Sequence, residues 1–156
     1  MNILKRWLSS RDRKQPATGI VLHASGGERA AGAIAWLTQI NLSYHFIIDK
    51  DGTVTKLVPL SRVAKHAGVS TGWAGKNCND YTIGICFANK NDGKDEYTHE
   101  QIASCVQLCV DIKRADRNIR HLTTHYWISP GRKTDPKGLN VEAIARDCGL
   151  NIWKPK

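Results

Sequence analysis

Two short runs of largely apolar residues, at positions 19–23 and 82–87, constrain the fold of this chain more than any other feature. Neither run shows the regular apolar and polar alternation of a strand with one wet face. Each therefore predicts a strand that is covered on both faces, as in sheets that carry helices on both sides. The two runs are expected to lie at the centre of an α/β domain.

The segments around these runs predict the rest of the sheet. Residues 43–49 are rich in β-forming side chains, and so are residues 53–58. Asp51 and Gly52, which lie between them, are a strong signal for a β-hairpin with antiparallel strands. A further short strand is expected over residues 121–124.

Apolar residues at helical spacing, together with signals for helix ends, predict three helices. Thr98 and Gln101 can form a capping box at the start of the longest helix, and Gly149 marks the end of the last one. Strands that alternate with helices, plus one hairpin, predict an α/β fold: a single domain with a central mixed β-sheet flanked by helices. The helices are expected at residues 28–40, 98–117 and 140–149.

A chain of 156 residues is long enough to bury a substantial core as one domain. Its beginning is basic and polar, and we predict a loosely attached N-terminal arm over residues 1–17, with one helical turn at residues 3–8. The domain itself is expected to span residues 18–156. Five cysteines without a Cys-x2-Cys pair indicate reduced thiols rather than a disulfide framework.

The charge of the chain bears on its partner. Lys and Arg outnumber Asp and Glu by 23 to 14, a formal net charge of +9. This favours an anionic partner: nucleic acid, an acidic membrane surface, or a polymer such as a bacterial wall. Nucleic acid is disfavoured, because no array of aromatic and basic residues that would stack bases is present. Membrane insertion is not expected, because no segment approaches the roughly 20 apolar residues that cross a bilayer.

Residues 124–136 hold an imidazole, an ammonium and a carboxylate close together: His125, Lys133 and Asp135. Pro136 favours extended geometry at the residue before it, and in extended backbone side chains two apart point to the same side. Histidine nitrogen and carboxylate oxygen are ordinary zinc ligands, and a neighbouring lysine can stabilise a developing negative charge. Taken alone, the same spacing also fits a charged surface turn.

A second histidine, His23, ends the first central strand just before a glycine-rich loop. Ligand sites of open α/β sheets gather at that place, although a hydrogen-bonded core histidine would also fit it. His23, His125 and Asp135 together would make three protein ligands with an open fourth position, the pattern of a catalytic zinc site.

Five segments in this order resemble the zinc-dependent N-acetylmuramoyl-L-alanine amidases, a family that includes phage lysozyme-type endolysins, bacterial wall-recycling amidases and peptidoglycan recognition proteins. The resemblance covers the chain from about Ile20 to Leu150, and it implies the fold of that family. Its final segment, Gly-Arg-Lys-Thr-Asp-Pro, carries the most specific part of the match. The five segments are residues 20–23, 43–48, 63–68, 79–85 and 131–136.

The resemblance implies a Zn²⁺ ion held by His23, His125 and Asp135, where other members carry a cysteine at the last position. It implies hydrolysis of the amide bond between N-acetylmuramic acid and the L-alanine of the stem peptide, with peptidoglycan as the partner and residues 18–156 as the amidase catalytic domain. Lys133 would stabilise the oxyanion that forms during hydrolysis. We expect a monomer.

The chain departs from part of this family at Cys86, where many wall-recycling members carry a glutamate as general base. Phage lysozyme-type members lack that glutamate and use a tyrosine, which Tyr44 matches here. Packing beside Phe46 is the alternative role for Tyr44. The resemblance therefore assigns catalysis to Tyr44 and Lys133.

A long irregular stretch over residues 59–80 indicates a functional loop. By resemblance, His66, Trp73 and Asn79 line the substrate groove, although Trp73 could equally anchor the loop. His45 is expected to be structural.

The sequence thus favours a phage or prophage endolysin, made in the host bacterial cytoplasm without a signal peptide and acting on the cell wall at lysis. The N-terminus carries no apolar stretch of the kind that a secretory signal needs. Three alternatives remain at this point: a cytoplasmic wall-recycling amidase, a non-catalytic peptidoglycan-binding module, and a polymerase-regulating protein.

Overall fold

The computed structural model describes residues 2–156. Its strands are β1 (Ile3–Lys5), β2 (Ser10–Asp12), β3 (Gly19–Ala24), β4 (Phe46–Ile48), β5 (Val54–Lys56), β6 (Arg62–Ala64), β7 (Thr71–Gly72), β8 (Gly75–Lys76), β9 (Thr82–Phe87), β10 (His121–Thr124) and β11 (Asn151–Ile152). The α-helices are α1 (Ala30–Ile40), α2 (His99–Ala115), α3 (His125–Ile128) and α4 (Val141–Cys148), and a 3-10 helix spans Cys78–Tyr81.

Seven strands form one mixed sheet in the order β1-β5-β4-β9-β3-β10-β11. The two apolar runs of the sequence are β3 and β9, and they pair in parallel at the middle of this sheet over six residues each. Every residue of both strands is buried. The predicted single-domain α/β fold with a central mixed sheet is therefore confirmed.

Helices cover the two faces of the sheet, and successive residues of a central strand pack on opposite faces. Ile83 and Ile85 of β9 join the large core cluster that α2 and α4 close, with Leu108 and Ile144 among its buried members. Cys86 instead belongs to the cluster beneath α1. This period of two is what a pleated strand covered on both faces requires.

The predicted ends of the elements are close to the observed ones. Both bonds of the capping box at Thr98 and Gln101 are present at the start of α2. Gly149 follows α4 with a φ angle of 70°, the left-handed geometry in which glycine carries no steric penalty. β4 and β5 form the predicted antiparallel pair, although each strand is shorter than the sequence suggested.

The N-terminal segment differs from its prediction. Residues 3–5 form β1, which pairs in parallel with β5 at the edge of the main sheet, and β2 pairs with β6 in a separate two-stranded sheet. The helical turn predicted for residues 3–8 is therefore wrong, because the open backbone edge of β5 offers hydrogen bonds that an isolated turn cannot match. The domain boundary after residue 17 stays a prediction.

Residues 59–80 contain short strands instead of a continuous irregular loop: β6, then the small hairpin of β7 and β8. Within residues 2–156, no helix has both the length and the apolar character needed to cross a membrane.

Candidate active site

Two adjacent strands deliver two histidines to the same edge of the sheet. β3 and β10 are parallel neighbours, with Leu22 opposite Thr124. The next residues along the two strands, His23 and His125, therefore lie side by side at the carboxyl ends of the strands, and their Nδ1 atoms lie 3.1 Å apart. The side chain of Thr124 accepts a hydrogen bond from the Trp127 amide and so turns the chain into α3 immediately at His125.

Asp135 reaches the same place from a loop that folds back on α3. The Tyr126 amide donates to the Asp135 carbonyl at 2.9 Å, and the Ala24 amide donates to the Asp135 carboxylate at 3.2 Å. This carboxylate lies 3.1 Å from Nδ1 of His125 and 3.4 Å from Nδ1 of His23. The three residues are buried, and each offers one ligand atom within 4.8 Å of the others.

The outer nitrogens of both histidines are already engaged within the protein. Nε2 of His125 lies 3.0 Å from the Ala67 carbonyl oxygen, which can only accept, so this nitrogen carries the proton and Nδ1 keeps its lone pair. Arg132 also lies near Nε2, but it donates to the same carbonyl at 2.6 Å. Nε2 of His23 lies 2.8 Å from Nδ1 of His66. Two imidazole nitrogens and a carboxylate that converge in this way fit a Zn²⁺ ion.

The protonation states of these groups suit metal binding. Burial and the neighbouring His125 lower the pKa of His23 to about 4, so that its ring is neutral at pH 7. Burial alone would raise the pKa of Asp135, but the neighbouring His125 and His23 outweigh it and hold that pKa well below its usual range. A metal needs neutral histidines and an ionised carboxylate, and His23 and Asp135 have these forms at neutral pH.

A cavity of about 180 Å³ opens beside these ligands, and His125, Tyr44, His66 and Lys133 are among its lining residues. Lys65 and Arg132 add two more cations, and the described lining includes no Asp or Glu. A cationic wall of this kind favours an anionic substrate.

Residues 13–138 match the family described as N-acetylmuramoyl-L-alanine amidase. The chain belongs to this amidase family. The 1,6-anhydro-N-acetylmuramyl-L-alanine amidase AmpD of Citrobacter freundii is 35% identical over 107 residues, which cover 65% of this chain and 54% of AmpD. The chain thus spans about half the length of the curated relatives that it matches.

Solved structures agree with the family assignment. AmpDh3 of Pseudomonas aeruginosa, crystallised with an anhydromuramic pentapeptide, has a TM-score of 0.72 and 26% identity over 86% of this chain and 60% of AmpDh3. The endolysin amidase LysCS of Clostridium intestinale has a TM-score of 0.75 over 96% of this chain and 97% of LysCS. At 22% identity, the second likeness shows the shared fold alone.

Tyr44 and Cys86, the two positions that the resemblance connects with a general base, lie next to each other. The Tyr44 ring lines the cavity, with its centroid 4.9 Å from that of His23. Cys86 pairs with His23 across β3 and β9, but its side chain is fully buried. Burial and the nearby Asp135 raise the pKa of the thiol, while burial and Cys86 raise that of the phenol. Both groups are protonated at neutral pH, so Tyr44 can act as a hydrogen-bond donor to bound substrate.

The three predicted groove residues have different positions in the structure. His66 and Asn79 line the cavity. The Asn79 side-chain oxygen accepts from the amides of His66 and Ala67, at 3.0 and 2.8 Å, and so shapes the loop that carries His66.

Trp73 does not lie at the cavity. Its ring nitrogen donates to Thr18 at 2.9 Å, and its ring lies 4.6 Å from that of His121. Thr18 and His121 lie at the amino ends of β3 and β10, whereas His23 and His125 lie at the carboxyl ends of these strands. The alternative role as a loop anchor fits this position.

His45 is buried away from the cavity. Its Nδ1 accepts from the Gly84 amide at 3.0 Å, and its Nε2 lies 2.8 Å from the Arg62 carbonyl, so both nitrogens serve the backbone.

Sequence reasoning missed Arg132, which joins the two loops around the site. Its guanidinium donates to the carbonyls of Ala67 and Val69, at 2.6 and 3.1 Å, and to the Ser129 hydroxyl at 3.1 Å. The residue lies inside the Gly-Arg-Lys-Thr-Asp-Pro segment, so that segment was the available signal. Two of its three acceptors are backbone carbonyls about 60 positions earlier, which no sequence pattern identifies.

Proposed function

We propose that this chain is a zinc-dependent N-acetylmuramoyl-L-alanine amidase, a hydrolase that cleaves the amide bond between N-acetylmuramic acid and L-alanine. One observation carries the proposal: ligand atoms of His23, His125 and Asp135 converge beside a cavity that is lined by His125, Lys133 and Tyr44. Membership of the amidase family supports the same reaction.

Different residues of the chain would have different roles in hydrolysis. A bound Zn²⁺ ion would act as a Lewis acid and lower the pKa of water to about 7. Lys133 supplies a fixed positive charge at the cavity wall, where it stabilises the oxyanion that develops on the scissile carbonyl. The protonated hydroxyl of Tyr44 donates a hydrogen bond to the reacting oxygen atoms or to the water beside them.

The relatives indicate the substrate more closely. AmpD is named for the 1,6-anhydro form of the muramyl sugar, and AmpDh3 was crystallised with an anhydromuramic pentapeptide. Soluble anhydromuramyl peptides are therefore the substrate that we propose, and their carboxylates suit the cations Lys65, Arg132 and Lys133. This substrate favours the wall-recycling alternative over the endolysin role. A recycling amidase would be made in the bacterial cytoplasm and would act there.

The endolysin role is the second candidate, and one observation favours it. Tyr44 lies in the cavity, as in phage lysozyme-type members by resemblance, while Cys86 occupies the place of the glutamate that wall-recycling members carry. Intact peptidoglycan would then be the substrate. A monomer remains the expected state for either role.

Two substrates tested side by side discriminate between these roles. The full chain, loaded with zinc, is incubated with a soluble anhydromuramyl tripeptide and with purified sacculi, and mass spectrometry detects peptides that begin with a free L-alanine. We expect faster release from the soluble fragment. Faster release from sacculi would establish the endolysin role instead.

Chelator-treated protein serves as the matched control and should release nothing. Binding of either substrate by the zinc-loaded protein without cleavage would refute the amidase and leave the peptidoglycan-binding module.

A further inference from the structure

A chain of hydrogen bonds leads from His23 into the protein interior and ends at a backbone carbonyl. We propose that His66 and Thr82 are positioning residues that determine which nitrogen of His23 carries the proton, and with it the lone pair that His23 presents to the metal. The inference rests on the proposed function only in taking the site as a metal site.

The chain has three links. Nε2 of His23 lies 2.8 Å from Nδ1 of His66, and Nε2 of His66 lies 3.2 Å from the Thr82 hydroxyl oxygen. The Thr82 hydroxyl in turn donates to the Cys78 carbonyl at 2.7 Å. All four residues are buried, with at most 7% of any of them exposed. Each polar atom must therefore find its partner within the chain.

The carbonyl at the end sets the direction of every proton. A carbonyl oxygen only accepts, so the single proton of Thr82 points at Cys78, and the Thr82 oxygen is left to accept from Nε2 of His66. The His66 ring is buried and its two nitrogens face only the His23 ring and the Thr82 hydroxyl, so it carries a single proton, because a buried charge would have no partner there. Nδ1 of His66 is then an acceptor, and it must receive the proton from Nε2 of His23. Nδ1 of His23 consequently keeps its lone pair.

The reverse arrangement would close the site to a metal. If His66 carried its proton on Nδ1, His23 would carry its own on Nδ1, pointing towards His125 and Asp135 at 3.1 and 3.4 Å. That proton would occupy the position of the metal. The tautomer of His125 is fixed differently, because its Nε2 donates directly to the backbone carbonyl of Ala67. Only His23 depends on side chains for its tautomer.

The sheet leaves a place for the His66 ring. A Cβ atom at Gly84 would come within 2.7 Å of that ring, so only glycine at this point of β9 admits it. The ring stands at 86° to that of His23, with 4.9 Å between their centroids, and its edge thus faces the Nε2 atom. Gly84 and Thr82, two residues apart on β9, therefore both contribute to the position of the His66 ring.

Two substitutions at Thr82 separate its hydroxyl from its shape. Thr82→Val keeps the branched side chain but cannot accept from His66, and Thr82→Ser keeps the hydroxyl. In the metal-free proteins, ¹⁵N NMR of the histidine rings reports which nitrogen is protonated, and competition with a chromophoric chelator measures zinc affinity. We expect Thr82→Val to populate the Nδ1-protonated form of His23 and to weaken zinc binding by about 10–100-fold, as for other partners of metal-bound histidines. Thr82→Ser should resemble the unsubstituted protein in both measurements.

The unsubstituted protein provides a test that does not depend on the variants folding. Its metal-free form should show His23 and His66 both protonated on Nε2, and His23 protonated on Nδ1 would overturn the inference. A folded Thr82→Val protein whose zinc affinity and histidine tautomers are unaltered would also overturn the inference. A merely structural role for Thr82 would lower the unfolding midpoint but leave the tautomers unchanged. The readouts are independent of turnover: a protein that binds zinc as expected yet cleaves no muramyl amide would refute the proposed function alone.

Discussion

Replacing Tyr44 by phenylalanine removes one hydroxyl beside the candidate metal centre and keeps the ring. The ring packs against the buried cluster of Leu37 and Cys86 and lies 4.9 Å from that of His23. Because these contacts survive, the free energy of unfolding should fall by only about 1 kcal/mol, the usual net value of one hydrogen bond. If the hydroxyl assists proton transfer, turnover should fall by about 10²–10⁴-fold, roughly 3–5 kcal/mol. The expected loss of activity is thus several times larger than the loss of stability.

Cys86→Ser is the matched comparison, because this side chain adjoins Tyr44 but is fully buried. The raised pKa of Cys86 keeps the thiol protonated, and a protonated thiol cannot serve as a general base. We expect a more polar hydroxyl in this apolar place to lower the free energy of unfolding by about 1–3 kcal/mol. Turnover of the folded variant should stay close to that of the unsubstituted protein.

The assay measures hydrolysis of an anhydromuramyl peptide at saturating zinc, with bound zinc and denaturant unfolding recorded for each variant. Zinc content should be unchanged in both. An active Tyr44→Phe together with a folded but inactive Cys86→Ser would refute the reasoning, because the thiol would then take the place of the family's glutamate.

Three other perturbations test the site and the core. His125→Ala should lose most bound zinc and all measurable activity, since three protein ligands leave no redundancy; tight equimolar zinc in this variant would remove His125 from the site. Lys133→Ala should keep its zinc and lose about 2.7–4 kcal/mol of transition-state stabilisation, and near-normal turnover would contradict that role. Burial lowers the pKa of His45 to about 3, so the unfolded chain, with an ordinary pKa near 6.5, binds the proton first as pH falls. The free energy of unfolding of metal-free protein should therefore drop between pH 6.5 and pH 3, with about 2 kcal/mol lost from His45 alone by pH 5; equal stability at pH 7 and pH 5 in denaturant titrations would contradict this.

The elements that could be predicted are those whose signals are local. The continuous apolar run of β9 and the capping box at Thr98 each depend on residues within one short segment, and both occur where expected. His23 and His125 could be placed at one edge of the sheet for a related reason, since parallel neighbours end on the same side. Their exact approach could not be predicted, because it depends on the register of β3 against β10.

Misplaced elements depend on partners far away in the chain. β1 forms because the edge of β5 lies open about 50 residues later, and no pattern within residues 3–8 announces that edge. For Trp73 the sequence left groove lining and loop anchoring equally open, and the residue packs against Thr18 and His121 at the other end of the strands. An aromatic residue in a long loop has many apolar surfaces available to it, and only the folded chain selects one.

The sequence by itself predicted the class of fold and the central strands, because hydrophobic period, helix caps and strand ends are encoded within short segments. Its resemblance to a family identified the three candidate ligands. Only the tertiary structure decided how those ligands are protonated and oriented. The tautomer of His23 depends on His66, Thr82 and the Cys78 carbonyl, which three separate contacts bring together. A hydrogen bond acts over about 3 Å and only in a suitable direction, so its partners exist only once the backbone has placed them.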